Sequence, residues 1–397
     1  MEAVVKTLAI HFARLGPYHL ARLESAAEVL GPMGWRIVAL ETAGSDDTYA
    51  WEKTEVGGAA FERKTVFPDR VFEKIPAGEL RRGINAALEA MQPNAMAVAG
   101  WGTVDARACL AWCRRRRAKV FVMSETREAD GRRVWWREWV KSRVVRKFDG
   151  ALCGGMSHIR YLERLGLPRE RIAMGYNVVD NAFFSQPGQL VRSECPFFLA
   201  SNRFVERKNL QALVEAQARC FASDPKKSWP LVLLGNGILK ERLMARCQES
   251  GLDAVDFSET AMEAVRIPAG PSVVFAGFRQ IHELPSFYAA AGAFVHPALE
   301  EPWGLVVNEA MAAGLPVLSS RNVGAAEELV EEGVTGFLFE PQSVDDIARA
   351  MTRVVSLDSS ERCKMSAAAR VMVEQKTPKR AFGEGLARLL EISTSGN

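Results

Sequence analysis

The sequence predicts an α/β protein built as two doubly wound, Rossmann-like domains, and three observations carry that prediction. Short apolar runs alternate with helix-length segments along the chain, the sequence form of a parallel sheet flanked by helices. At 397 residues the chain exceeds the usual size of one hydrophobic core. The alternation breaks once, at Asp180–Cys195, where Asn, Pro, Gly and Ser gather without periodicity, and the linker is placed there.

In the first half the strand candidates are Val4–Phe12, Trp35–Leu40, Ala95–Gly100, Lys119–Met123 and Ala151–Cys153. The second half offers Phe197–Ala200, Leu231–Leu234, Val273–Phe275, Ala293–His296, Val317–Ser319 and Gly336–Phe339. Helical segments such as Asn209–Cys220 and Asp345–Val355 fall between them, and Pro378–Ile392 is a further amphipathic helix candidate. The expected domains are 1–185 and 186–377, followed by a terminal helix over 378–397. In open α/β sheets ligands bind at the carboxyl ends of strands, so two such domains facing each other would share one cleft.

Composition narrows the function classes. A net charge of +3 is too small to imply nucleic-acid binding. Seven cysteines without framework spacing suggest reduced thiols and a cytosolic compartment. Cys109 and Cys113 lie one helical turn apart, but no second pair or histidine completes a metal site, so core packing is expected for them. Met1 to Ile10 lacks the apolar stretch of a signal peptide, and no apolar run approaches the roughly 20 residues of a spanning helix.

Chemistry concentrates in Glu301-Pro302-Trp303-Gly304-Leu305-Val306-Val307-Asn308-Glu309. Pro302 and Gly304 break structure, and Leu305 to Ala313 is a helix-forming run closed by Gly314. Glu301 is thus expected in a loop and Glu309 about one turn inside a helix. Unpaired amides at the helix start favour an anion, and ionised carboxylates accept hydrogen bonds from hydroxyl groups. Phosphate flanked by hydroxyls describes a nucleotide sugar. The plainer alternative is two surface glutamates that offset the helix dipole.

Other residues leave neighbouring strand ends. Arg203 and Lys208 follow the strand candidate Phe197–Ala200, where a diphosphate would meet a guanidinium fork and an ammonium point charge. Gly277, Phe278 and Arg279 follow Val273–Phe275, where backbone could hold a base edge and Arg279 could lie near base or phosphate. Gly16, after the first strand, could let backbone approach the diphosphate. Solvated basic loops and ordinary turns are the alternatives for each.

Together these residues resemble retaining glycosyltransferases of family 4, which have the GT-B architecture. The resemblance is tightest over the Arg203/Lys208 loop, the Gly277 turn, the Glu301/Glu309 spacing and Gly333-Val334-Thr335-Gly336-Phe337. It implies a hexosyltransferase using a UDP- or GDP-sugar and acting on a glycan or lipid-linked glycan acceptor. By that resemblance Arg203 and Lys208 hold the donor diphosphate, Glu309 the ribose hydroxyls and Glu301 the transferred sugar. Gly304, Leu305 and Val306 sit beside phosphate and sugar, Trp303 shapes the pocket, and the last helix crosses back onto the first domain. His19 and Glu125 stand where the first half departs from the family pattern and are acceptor-side candidates.

No strand ends in Asp-x-Asp, so neither a metal nor another cofactor is expected. Front-face transfer with retention is the expected mechanism, its stereochemistry inherited from the resemblance. A nucleotide-sugar epimerase or phosphorylase, or a non-catalytic glycan- or membrane-binding relative, are the alternatives.

Arg114 to Lys147 contains 13 Lys or Arg against 4 Asp or Glu, with Trp135, Trp136 and Trp139 among them. Two readings stand: a solvated helix face with the tryptophans in the core, or a surface meeting an anionic membrane or lipid-linked pyrophosphate. The second implies a cytoplasmic protein held peripherally on the inner face of the membrane.

Overall fold

The computed structural model describes residues 5–47, 51–52, 60–187 and 191–394. Val4 of the first predicted strand and residues 188–190 of the predicted linker lie outside the described residues. The chain forms two compact units, Met1–Val179 with Lys379–Asn397, and Asp180–Pro378.

The first unit is a parallel sheet of β1 (Lys6–Phe12), β2 (Trp35–Ser45), β3 (Glu62–Val71), β4 (Ala95–Ala99), β5 (Lys119–Ser124), β6 (Gly150–Cys153) and β7 (Ile172–Met174). Their order is β3-β2-β1-β4-β5-β6-β7. Its helices are α1 (Pro17–Leu30), α2 (Ala77–Met91), α3 (Val104–Arg116), α4 (Trp135–Val145) and α5 (Met156–Arg164).

In the second unit, short β8 (Arg192–Ser193) and β12 (Arg266–Ile267) pair with each other. Its main sheet contains β9 (Phe198–Ser201), β10 (Leu231–Leu234), β11 (Asp253–Asp256), β13 (Ser272–Gly277), β14 (Ala293–His296), β15 (Val317–Ser320) and β16 (Gly336–Phe339). The order is β11-β13-β10-β9-β14-β15-β16, again parallel throughout. Around it lie α6 (Asn181–Phe184), α7 (Leu210–Ser223), α8 (Lys240–Glu249), α9 (Leu284–Ala290), α10 (Leu305–Ala312), α11 (Gly324–Leu329), α12 (Val344–Ser356) and α13 (Ser359–Lys376). The last helix, α14 (Ala381–Thr394), belongs to the first unit.

Each sheet reverses its winding once, between β1 and β4 in the first unit and between β9 and β14 in the second. Loops leaving the strands on either side of such a reversal diverge, and the space between them is where open α/β sheets bind ligands. The Lys208 loop leaves β9 and the Glu301 loop leaves β14, which places both at the reversal in the second unit.

Three predictions need correction. The boundary between units falls at Val179/Asp180 rather than 185/186. The expected linker opens with α6, because Asp180 caps it through Phe183 N–H (3.1 Å) and Phe184 is buried against Tyr288, ring centroids 5.9 Å apart. The tryptophans of α4 are not core residues: Trp135 is 80%, Trp136 51% and Trp139 54% exposed. Cys109 and Cys113 do pack in the core of the first unit, where burial raises both thiols, Cys113 to about 12.

Candidate functional site

Lys208 and Glu301 form a buried ion pair, Nζ to Oε2, at the reversal point of the second sheet. Two neighbours share the same carboxylate oxygen. His296 Nε2, at the last residue of β14, lies 3.7 Å away, and exposed Arg207 Nη1 also lies 3.7 Å away. Burial pushes the Glu301 carboxyl up, but the His296 imidazole and the Lys208 ammonium outweigh it and hold Glu301 well below the usual carboxylate range. Burial likewise lowers Lys208, with the Glu301 charge opposing, and it keeps His296 below the ordinary histidine range.

The turn after Glu301 is fixed by backbone. Glu301 forms a parallel bridge with Val323, and its carbonyl accepts from Gly324 N–H at 3.0 Å. Trp303 carbonyl accepts from Ala325 N–H at 2.9 Å. Gly304 then takes φ +95°, where a Cβ would crowd Val323 Cγ1 at 3.1 Å and Glu301 Cγ at 3.3 Å. That left-handed residue starts α10, so Gly304, Leu305 and Val306 present half-buried backbone at the positive end of the helix. Exposed Arg203 and Arg207 add positive charge around Lys208. Carboxylate, ammonium, guanidinium groups and helix start thus converge on one face, an arrangement suited to a phosphate beside a hydroxyl-bearing group.

The other predicted residues of this unit have the following surroundings. Glu309 is fully buried, and its Oε2 accepts from the Tyr288 hydroxyl at 2.6 Å. Trp303 is 1% exposed and does not line a surface pocket; its indole N–H donates to Asn308 Oδ1 at 2.9 Å, and Asn308 Nδ2 donates to Thr377 Oγ1 at 2.8 Å. It braces the turn from inside. Arg279 is buried and acts as a backbone staple, donating to the carbonyls of Ala276 (2.7 Å), Phe257 (3.0 Å) and Thr260 (2.9 Å). Those bonds tie the turn after β13 to the loop that follows β11. Gly277 ends β13 with φ +76°, its Cα packed on Ser258 backbone, and Phe278 beside it is half-buried.

In the first unit, Gly16 caps α1 in ordinary extended backbone, and its N–H donates to His19 Nδ1 at 2.9 Å. The His19 ring stacks on Phe12, centroids 4.1 Å apart, and burial with the Arg22 and Arg14 charges pulls its pKa down to about 3. His19 is therefore neutral at physiological pH. Arg22, which the sequence reading missed, is buried over the Tyr176 ring at 4.3 Å and reaches within 3.9 Å of Glu125. His296, Tyr288 and Arg207 were missed too. His296 carried a signal, being a polar residue closing an apolar strand.

Parts of the chain are similar to known proteins. Residues 184–372, most of the second unit, match the family model for glycosyl transferases group 1. An uncharacterised glycosyltransferase of Methanocaldococcus jannaschii is 30% identical over 42% of this chain and 37% of its own length. A sulfoquinovosyl transferase of Arabidopsis thaliana is 34% identical over 33% of this chain and 27% of its own. The chain thus spans well under half the length of these relatives.

Likeness in fold extends further. The Anabaena protein HepE, solved in complex with UDP, superposes with a TM-score of 0.70 at 17% identity, covering 98% of this chain and 100% of that one. Sucrose-phosphate synthase from Thermosynechococcus elongatus gives 0.71 at 18% identity, covering 99% and 100%. The fold is GT-B, two Rossmann-like domains in one chain. Over residues 184–372 the chain is similar to glycosyl transferases group 1.

Proposed function

We propose that this chain is a glycosyltransferase that moves a hexose from a UDP- or GDP-sugar to an acceptor hydroxyl with retention and without a metal. The observation that carries the reading is the buried Lys208–Glu301 pair beside the start of α10, at the reversal point of the second sheet. HepE, a fold relative, is described in complex with UDP, which supports a nucleotide donor.

In this reading Lys208, Arg203 and the α10 amides neutralise the diphosphate as the bond from anomeric carbon to phosphate oxygen lengthens. Glu301, kept ionised by Lys208, accepts hydrogen bonds from hydroxyls of the transferred sugar. Glu309 meets the ribose hydroxyls, with Tyr288 fixing the carboxylate through Oε2. Metal independence is the reading that the donor set supports, since its phosphate-facing groups are cations and backbone amides rather than clustered carboxylates. The departing diphosphate takes the acceptor proton, so no protein base is required on the attacking face. The acceptor is a glycan or lipid-linked glycan hydroxyl, with His19 and Glu125 of the first unit as its candidate contacts.

Thermal-shift titration with nucleoside diphosphates and their sugars tests the donor assignment, because a ligand that binds only the native state raises its melting temperature. The expected result is a rise with a uridine or guanosine diphosphate that Lys208→Ala abolishes and EDTA leaves unchanged. Absence of any shift across the series would overturn the reading.

A further inference from the structure

Helix α4 exposes an aromatic face. Its inward side combines Val144 and Val145, packed on the core, with polar groups: Glu138 accepts from Lys141 Nζ at 2.9 Å and from the Tyr161 hydroxyl at 2.7 Å, and Ser142 Oγ donates to Leu165 carbonyl at 2.7 Å. Only Val145 is fully buried. The opposite face carries Trp135, Trp136, Trp139 and Val140, between 47% and 80% exposed. The spacing 135, 136, 139, 140 and 143 is one helical stripe. The protein has nine tryptophans, and every exposed one lies on this face.

Charge on and beside that stripe is of one sign. Arg132, Arg137, Arg143, Arg146 and Lys147 are exposed, and none forms an ion pair among the described residues. Arg137 lies over the Trp136 ring at 5.2 Å and Arg143 over Trp139 at 4.1 Å. The Arg114–Arg117 run is different in kind: it ends α3, where Arg114 pairs with Asp149 at 3.2 Å and Arg116 with Glu89. The structure therefore narrows the basic stretch to α4 and its flanks.

We propose that this face of α4 lies in the headgroup layer of an anionic lipid bilayer. Indole rings settle at the boundary between headgroups and acyl chains, and guanidinium groups meet lipid phosphates there. Anionic lipid supplies the counter-charge that the protein leaves out. Eleven residues with this many charges cannot span a membrane, and no helix among the described residues is long and apolar enough to cross one. The proposal stands independently of the transferase reading.

The test is sedimentation of the full chain with phosphatidylcholine vesicles and with vesicles containing equal phosphatidylglycerol, together with tryptophan emission. The expected result is binding to the anionic vesicles only, with a blue shift, weakened by about 0.5 M salt. Trp135→Ser/Trp136→Ser/Trp139→Ser and, separately, Arg137→Glu/Arg143→Glu should each bind at least roughly tenfold more weakly. Both should keep the wild-type melting temperature and nucleotide-induced shift, since these side chains point outward. Failure of wild type to bind anionic vesicles at low salt, or equal binding by both variants, would overturn the proposal. A dimer in sedimentation equilibrium that the tryptophan variant loses, without vesicle binding, would assign the face to a second copy and overturn it as well.

Discussion

Lys208 and Glu301 are 93 residues apart in sequence, and their pairing is what makes either carboxylate or ammonium tolerable in a buried place. In wild type the folded Glu301 pKa lies below the unfolded value of about 4.3. Its contribution to stability is therefore present above that value and lost as pH falls toward the folded pKa. Lys208→Met removes the ammonium but leaves the His296 imidazole and Arg207 beside the carboxylate, so the folded pKa should rise toward the unfolded one. Denaturant unfolding across the acidic range should show stability rising with pH in wild type and rising less steeply in the variant, with a deficit of about 3–5 kcal/mol at neutral pH. Parallel slopes would remove Lys208 as the partner that sets Glu301. Both residues were legible as strand-end groups, but their contact was not, because the order of strands in the sheet creates it. Arg279 shows a second limit: the sequence offers an arginine after a strand end, and the three carbonyls it binds come from positions that only the folded chain brings together.

At the scale of elements, the site depends on how the Glu301–Gly304 turn is pinned to the start of α11. Gly324 packs directly on the Pro302 carbonyl, leaving no room for a Cβ. Gly324→Ala should displace the turn, lower the melting temperature and weaken nucleoside diphosphate binding at least roughly tenfold in calorimetric titration. Unchanged affinity in the folded variant would show that turn position does not matter to the donor. Central strands were readable as apolar runs, whereas β3, β7 and β11 were not predicted. All three lie at sheet edges. Exposure lets β3 carry Glu62, Arg63, Lys64, Asp69 and Arg70 and Pro68, and lets β11 begin and end on aspartate. β2 was read too short for another reason. Its second half holds buried Glu41 and Thr42, satisfied by Arg63 (2.7 Å) and by Asp105 (2.9 Å), partners no local pattern reveals.

At the scale of the molecule, α14 closes the core of the first unit. Phe382, Leu386, Leu389 and Leu390 are buried among Leu8, Ile10, Leu23 and Ala26. Gly383 N–H donates to Ser25 Oγ at 3.0 Å. Each large side chain contributes about 1.5–3 kcal/mol of burial, so losing four approaches the 5–15 kcal/mol margin of a typical domain. Deleting 379–397 should therefore abolish or sharply lower the first unit's transition in scanning calorimetry while the second unit's persists. A truncated chain melting like wild type would contradict this. The amphipathic pattern of the helix was legible, but which sheet it covers was not a property of its own residues.

That arrangement also sets an order of events during synthesis. The second unit is one continuous stretch, 180–378, and has every residue it needs as soon as that stretch has left the ribosome. The first unit, although made earlier, must wait with its α1 face bare until α14 emerges. Maturation therefore runs opposite to translation, and the half of the protein carrying α4 is the last to become rigid.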